Sequence, residues 1–253
     1  MLCLKYLFGL GRHSPSILLC SSESAYREQI SSSRHAQKKR FSFEGDSLRA
    51  AFGDLAQVQI VPFGIDPCWY SMQRHFADQT QPNWLVVSRI TRDKVGDLFE
   101  WSAPSFSTGT RKLHLIGPML ESIDIPAWVD YHGPATPGEL CETWFPKAHG
   151  LITLSRHAEG RPQVMLEAMA AGLPIIASRL PAHENLLDHG ATGWLAGSPA
   201  MLESGLAHLE SNSNNVAMGR SARAHVHAEF GTWDDCAQRY NTLYRQLLGA
   251  GSA

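Results

Sequence analysis

The chain has 253 residues, of which 43% are hydrophobic, enough for one to two domains with a sizeable core. A formal net charge of −2 leaves no electrostatic footprint for nucleic acid. Five cysteines (Cys3, Cys20, Cys68, Cys141, Cys236) are scattered and odd in number, and twelve histidines show no ligand cluster, so a reduced, cytoplasmic protein without a metal site is expected.

In chain order, Met1 to Leu10 carries an apolar run broken by Lys5, with no small-residue cleavage site. It reads as an ordinary docking helix rather than a secretory signal, with a peripheral membrane or partner contact as the alternative. No run approaches the ~20 apolar residues of a spanning helix. Ser16 to Ser22 reads as a buried strand, Ser24 to Ser31 as a helix, and Ser32 to Gly45 as a polar loop with Lys38, Lys39 and Arg40 in a row. Asp46 to Ala56 is expected to be helical and Gln57 to Pro62 to be a strand. There follows Phe63-Gly64-Ile65-Asp66, in which Gly64 allows a left-handed turn and Asp66 caps what comes next. Pro67 to Pro82 shows no clear period and reads as a linker.

The second part opens on Trp84 to Arg89, a strand leading into Ile90-Thr91-Arg92-Asp93-Lys94. Arg89 and Lys94 follow this strand closely enough to converge on one phosphate pair from the carboxyl edge of a sheet. The alternative is a surface ion pair with Asp93 or Asp97. A helix is expected to begin at Val95 to Trp101, strands at Leu113 to Ile116 and Val129 to His132, and a helix at Glu139 to His149 in which Trp144 and Phe145 pack. Leu151 to Leu154 is a short buried strand and Ser155 to Gly160 a polar loop. Pro162 suits the first turn of a helix, Gln163 to Ala171 is rich in helix formers, and Gly172 and Pro174 stop it. Ile175 to Ser178 is another buried strand. Helices are expected over Met201 to Leu209, Asn215 to Phe230 and Asp234 to Leu248, with Asn212 to Asn214 as a polar loop. Alternating strands and helices predict an α/β fold with a Rossmann-like, doubly wound parallel sheet.

In such a sheet the helix N-terminus at Pro162 faces the carboxyl edge, where ligands bind. Free N–H groups near Gly160, Gln163 and Val164, with the positive end of the helix dipole, suit an anion such as a diphosphate. Glu159 and Glu167 flank that anion site. Either both accept hydrogen bonds from sugar or ribose hydroxyls, or Glu159 caps the helix and Glu167 is a solvated residue. Arg161 either steadies phosphate or sugar, or is solvated.

Several residues match at fixed spacing: Ser155, Glu159-Gly160, Glu167-Ala168-Met169 and Gly172-x-Pro174, continuing through Ser178, Glu184 and Gly190-Ala191-Thr192-Gly193-Trp194-Leu195. This pattern resembles the donor-site signature of family 4 glycosyltransferases (glycosyl transferases group 1) of the GT-B fold. In weaker form the resemblance covers roughly Ile17 to Leu248. It implies a hexosyltransferase that uses a nucleotide diphosphate sugar and a glycan or lipid-linked hydroxyl acceptor, retaining and metal-independent, with no cofactor. It also implies that Arg89 and Lys94 bind the diphosphate, that Glu159 holds sugar hydroxyls and Glu167 the ribose, and that backbone at Gly133 meets the nucleobase. Residues 1–80 would be a partial acceptor-side domain and linker, 81–230 the donor domain, and 231–253 a helix packing back on the N-terminal part.

There are departures from the family pattern. Ser88 and Val95 stand where the family's Arg and Lys motif has glycines, and Phe63 stands where the family usually has Asn. The truncated first Rossmann-like domain is expected to lack the family's glycine-rich loop and its histidine. A partner-dependent sugar-nucleotide-binding subunit, working with a separate acceptor-domain protein, is therefore an alternative, as is a nucleotide-sugar epimerase or hydrolase. A cytoplasmic protein, peripheral on the inner membrane face, would fit either reading.

Overall fold

A computed structural model describes residues 17–20, 57–157 and 162–250. The readings made for Met1 to Leu10, Ser24 to Ser31, the Lys38-Lys39-Arg40 run, Asp46 to Ala56, Glu159, Gly160 and Arg161 lie outside the described residues. The chain divides into two compact units, one of residues 1–64, 159–161 and 232–253, the other of 65–158 and 162–231.

In the smaller unit, β1 (Ile17–Cys20) and β2 (Gln57–Ile60) pair in parallel, Ile17 opposite Gln57. The chain's last helix belongs to the same unit, where its Arg239 Nη2 donates to the Pro62 carbonyl at 3.2 Å. Gly64 has no positive φ, contrary to the turn expected from its residue type. It is required for a close approach instead, because a Cβ there would lie 2.3 Å from the Trp233 Cα.

The larger unit begins with the segment read as a linker. It is folded: α1 (Pro67–Ser71) starts on Asp66, whose carboxylate accepts from the Cys68 N–H at 2.9 Å, and a 3-10 turn follows at Phe76–Asp78. Trp69 and Phe76 are buried there, and Trp69 packs on Phe145 with ring centroids 5.0 Å apart. The sheet consists of β3 (Asn83–Val87), β4 (Lys112–Ile116), β5 (Val129–Tyr131), β6 (Gly150–Thr153), β7 (Ile175–Ser178) and β8 (Trp194–Ala196). All neighbours are parallel and the order is β5-β4-β3-β6-β7-β8. Alternate strand residues feed two cores, as a period of two requires. Leu85, Leu151 and Ile175 enter one core, while Trp84, Val86, Leu113, Leu115 and Ile176 enter the other.

The helices cover both faces: α2 (Arg92–Val95), α3 (Leu98–Phe106), α4 (Pro137–Glu139), α5 (Gln163–Ala170), α6 (Pro181–Glu184), α7 (Pro199–Glu210) and α8 (Asn212–Glu229). The smaller unit's helix, Trp233–Ala250, is α9. Two expected helices are divided. Gly96, at φ 48°, separates α2 from α3, and the stretch expected to run from Glu139 to His149 is a π turn (Leu140–Trp144) followed by a 3-10 turn at Phe145–Lys147. Pro146 has no N–H to give a continuing helix. The polar loop expected at Asn212 to Asn214 is instead the first turn of α8. Asn214 and Asn215 donate their side-chain amides to the His208 and Leu209 carbonyls, at 3.2 and 2.7 Å, and so form the joint that ends α7.

Candidate functional site

The strand order turns around between β3 and β6, since the chain adds β4 and β5 on one side of β3 and then crosses to build β6, β7 and β8 on the other. Loops leaving two adjacent parallel strands in opposite directions open a crevice at their carboxyl ends. The loop after β3 carries Arg89, which is exposed, and then Lys94, which is half-buried in α2. Thr91 caps α2, accepting from the Lys94 N–H at 3.3 Å, and thereby sets the backbone from which Lys94 projects. The loop after β6 leads to α5.

These two loops are tied together. The Asp93 carbonyl accepts from the Arg156 N–H at 2.8 Å and from Ser155 Oγ at 3.4 Å, and the Leu154 carbonyl accepts from the Asp97 N–H at 3.2 Å. Gly96 makes this closeness possible. A Cβ on it would sit 2.3 Å from the Leu154 carbonyl oxygen, on a backbone whose φ of 48° already favours glycine. A glycine, absent at Val95, is thus present one residue later at Gly96. The Arg156 guanidinium is hydrogen-bonded to the Asp97 carboxylate, so Asp97 serves Arg156. The loop after β7 joins in: Ser178 Oγ donates to the Ser155 carbonyl at 2.8 Å, and the buried His183 Nδ1 lies 2.9 Å from the Ser178 carbonyl, which makes Nδ1–H its donor. Sequence reasoning singled out neither His183 nor this lacing.

α5 starts one residue later than expected, with Pro162 in extended conformation as its N-cap. Pro162 offers no side-chain cap and the first turn holds no acid, so the Gln163 and Val164 end carries the helix's positive pole. The Met165 N–H reaches the Pro162 carbonyl at 3.1 Å. Glu167, one turn in, is half-buried, and its carboxyl is pushed up to about 7. Burial is the main cause; the Gln163 side chain hydrogen-bonds to it and lowers it, and the nearby Asp66 carboxylate raises it further. This is not a solvated surface acid. The helix closes as expected on Gly172, with φ 66°. The Gly172 N–H goes to the Met169 carbonyl at 2.9 Å and the Leu173 N–H to the Ala168 carbonyl at 2.8 Å, the double bond pattern of a glycine-terminated helix.

Gly133 follows β5 with φ 73°, its carbonyl accepting from the Gly117 N–H at 2.7 Å, and nothing lies within 4 Å of where a Cβ would be. Beside it His132 Nε2 lies 3.0 Å from His114 Nδ1, and the His132 ring is 4.5 Å from that of Trp144. Burial, with His132 and Lys112 adding to it and Asp130 opposing, pushes His114 down to about 4, so it is neutral at pH 7. Trp144 therefore packs against a histidine pair, a contact that its sequence position did not signal.

Arg89, Lys94, Gly133, Pro162, Gln163, Val164 and Glu167 thus all belong to one unit and lie on loops and a helix at one sheet edge. A family model for glycosyl transferases group 1 matches residues 81–212, more than half of the chain and the whole of this edge. The chain belongs to that family. Its sheet is the Rossmann-like, doubly wound sheet of the GT-B fold, and Anabaena HepE, solved with UDP-glucose, superposes with a TM-score of 0.67 over 91% of this chain and 72% of HepE at 16% identity. Among relatives, D-inositol 3-phosphate glycosyltransferase of Gordonia bronchialis is 28% identical over 244 residues, 83% of this chain and 52% of the relative. The GDP-mannose-dependent alpha-(1-6)-phosphatidylinositol monomannoside mannosyltransferase of Mycobacterium tuberculosis is 23% identical over 81% of this chain and 60% of its own length. The chain therefore spans about half the length of the curated relatives it matches. Among the described residues no helix of this group 1 member is long and apolar enough to cross a membrane.

Proposed function

We propose that this chain provides the donor site of a glycosyltransferase that moves a hexose from a nucleotide diphosphate sugar to a hydroxyl of a glycan or lipid-linked acceptor, with retention at the anomeric carbon and without a metal or cofactor. Family membership supports the reaction class. HepE with its UDP-glucose and the GDP-mannose-dependent relative support the donor class, and the phosphatidylinositol monomannoside named for that relative supports a lipid-linked acceptor. The observation that carries the reading is the reversal of strand order between β3 and β6, which gives the Lys94 loop and the α5 tip one crevice.

In this reading Arg89, Lys94 and the N–H groups of Gln163 and Val164 stabilise the charge that builds on the leaving diphosphate. Such electrostatic help strengthens as the bond breaks, and each charge-assisted contact contributes roughly 1.5–3 kcal/mol. Glu167 accepts hydrogen bonds from the ribose hydroxyls; its half-burial supports this role, because an acid in that place needs a polar partner. Glu159 holds the sugar hydroxyls, Arg161 steadies phosphate or sugar, and backbone at Gly133 meets the base. The site works on the cytoplasmic side, where nucleotide sugars are the donors.

The deciding experiment is a thermal-shift screen of UDP- and GDP-sugars on the wild type, Glu167→Ala and Lys94→Ala. Stabilisation grows as RT ln(1 + [L]/Kd), so a true donor raises the wild-type midpoint well above both variants. Equal shifts in all three proteins sink the site assignment. Retention is checked by the anomeric proton coupling of the product, and metal independence by undiminished turnover in EDTA.

A further inference from the structure

Arg74 and Arg223 are half-buried cations of an unusual kind: among the described residues neither has a carboxylate partner. Arg74 Nη1 donates to the Gly172 carbonyl at 2.8 Å and to Asn215 Oδ1 at 2.8 Å, and its Nη2 donates to the Ala148 carbonyl at 2.8 Å and the His149 carbonyl at 3.4 Å. Its guanidinium carbon lies 4.3 Å from the centre of the Phe76 ring. Arg223 Nη2 donates to the Ala171 carbonyl at 2.7 Å and the Met72 carbonyl at 3.4 Å. The Nε of each is buried without a hydrogen-bond partner among the described residues. Burial, and then the like charge of Arg223, push Arg74 down to about 9, so it stays charged at neutral pH.

Two like charges drawn partly out of water side by side call for a counter-charge, because desolvating an unpaired ion is costly. Ala171 and Gly172 are the end of α5, where the helix's unpaired carbonyls concentrate its negative pole. That pole is the counter-charge. The same place is fixed sterically: a Cβ on Gly219 of α8 would lie 2.1 Å from the Gly172 carbonyl oxygen, so α8 and the end of α5 touch backbone to backbone. Asn215 Nδ2, bonded to the His149 carbonyl at 2.8 Å, ties the clamp to the residue before β6.

We infer that Arg74 and Arg223 are positioning residues for the donor site: they neutralise and hold the last turn of α5, so that its first turn and Glu167 stand in one place at the crevice. The role in the site rests on the donor-site reading above; the clamp on α5 does not. Arg74 lies in the stretch that sequence reasoning treated as a spacer, and nothing in its neighbours marks it.

The experiment compares wild type, Arg74→Lys, Arg74→Gln and Arg223→Lys with Leu206→Ala, a core change on the opposite face of the sheet. Amide hydrogen exchange over 163–173 is measured without ligand, and UDP and inorganic pyrophosphate are titrated calorimetrically well below each melting midpoint. The clamp predicts faster exchange at 167–173 in the Arg74 variants and not in Leu206→Ala. It also predicts UDP and pyrophosphate binding weaker by about tenfold, the scale of losing one charge-assisted contact at the helix tip. Arg74→Lys, which keeps the charge with fewer bonds, falls between wild type and Arg74→Gln. Unchanged exchange in Arg74→Gln, or faster exchange with unchanged affinity, overturns the inference. If the wild type binds neither probe while α5 still loosens in Arg74→Gln, the clamp stands and the donor-site reading falls.

Discussion

Glu167 shows what a single side chain's surroundings decide. On an exposed helix face it would release its proton near its usual 4.5, whereas here burial keeps it to about 7. The folded protein then binds more protons than the unfolded chain between pH 4.5 and about 7, so stability falls as pH rises through that window. Urea midpoints at pH 5 and pH 7.5 should show this slope, and Glu167→Gln should flatten it. The ionised form is the better acceptor for ribose hydroxyls, so affinity for UDP-glucose, whose diphosphate diester keeps its charge over this range, should rise as pH passes about 7 in the wild type and stay level in Glu167→Gln. Gly96 has a different significance. Gly96→Ala puts a methyl 2.3 Å from the Leu154 carbonyl on a left-handed backbone. A cost of roughly 1–3 kcal/mol follows, and calorimetry should show weaker UDP binding because the Lys94 loop must move away from Arg156.

At the scale of elements, the strands and helices were legible where the chain states them locally. β6, α5 and β7 follow from an apolar run, a proline, helix formers, then Gly172 and Pro174, each acting within a few residues of itself. Elements were misread where a distant partner decides. Asn212, Ser213 and Asn214 form a helical turn because the neighbouring amides find the carbonyls ending α7, and Pro67 to Pro82 is ordered because Trp69 finds Phe145. The contact between α5 and α8 gives a direct test. Gly219→Ala should lower stability by about 1–3 kcal/mol through overpacking, because the 2.1 Å neighbour is backbone and cannot turn aside. A denaturant titration reads the loss, while Gly138→Ala, whose nearest neighbour is Thr136 Oγ1 at 3.9 Å and whose φ is not positive, serves as the open-space comparison.

The whole molecule is nearly neutral, so attraction of an anionic donor must come from local groups rather than from a general field. Raising salt from about 0.05 to about 0.5 M should weaken UDP binding several-fold in the wild type, since the screening length then falls below about 10 Å. In the Arg89→Ala/Lys94→Ala double variant the salt slope should be much shallower, as titration at the two ionic strengths would show. By itself the sequence determined the alternation of strands and helices, the residue types at the end of β3 and the start of α5, and the family they match, because periodicity, capping and motif spacing act along the chain. Only the tertiary structure decided the order β5-β4-β3-β6-β7-β8, and with it that the loops after β3 and β6 share a crevice. Only it decided, too, that Glu167 is half-buried and that Arg74 and Arg223 meet the end of α5. Those outcomes depend on carbonyls, close backbone approaches and solvent exclusion, which every residue can supply and no residue letter records.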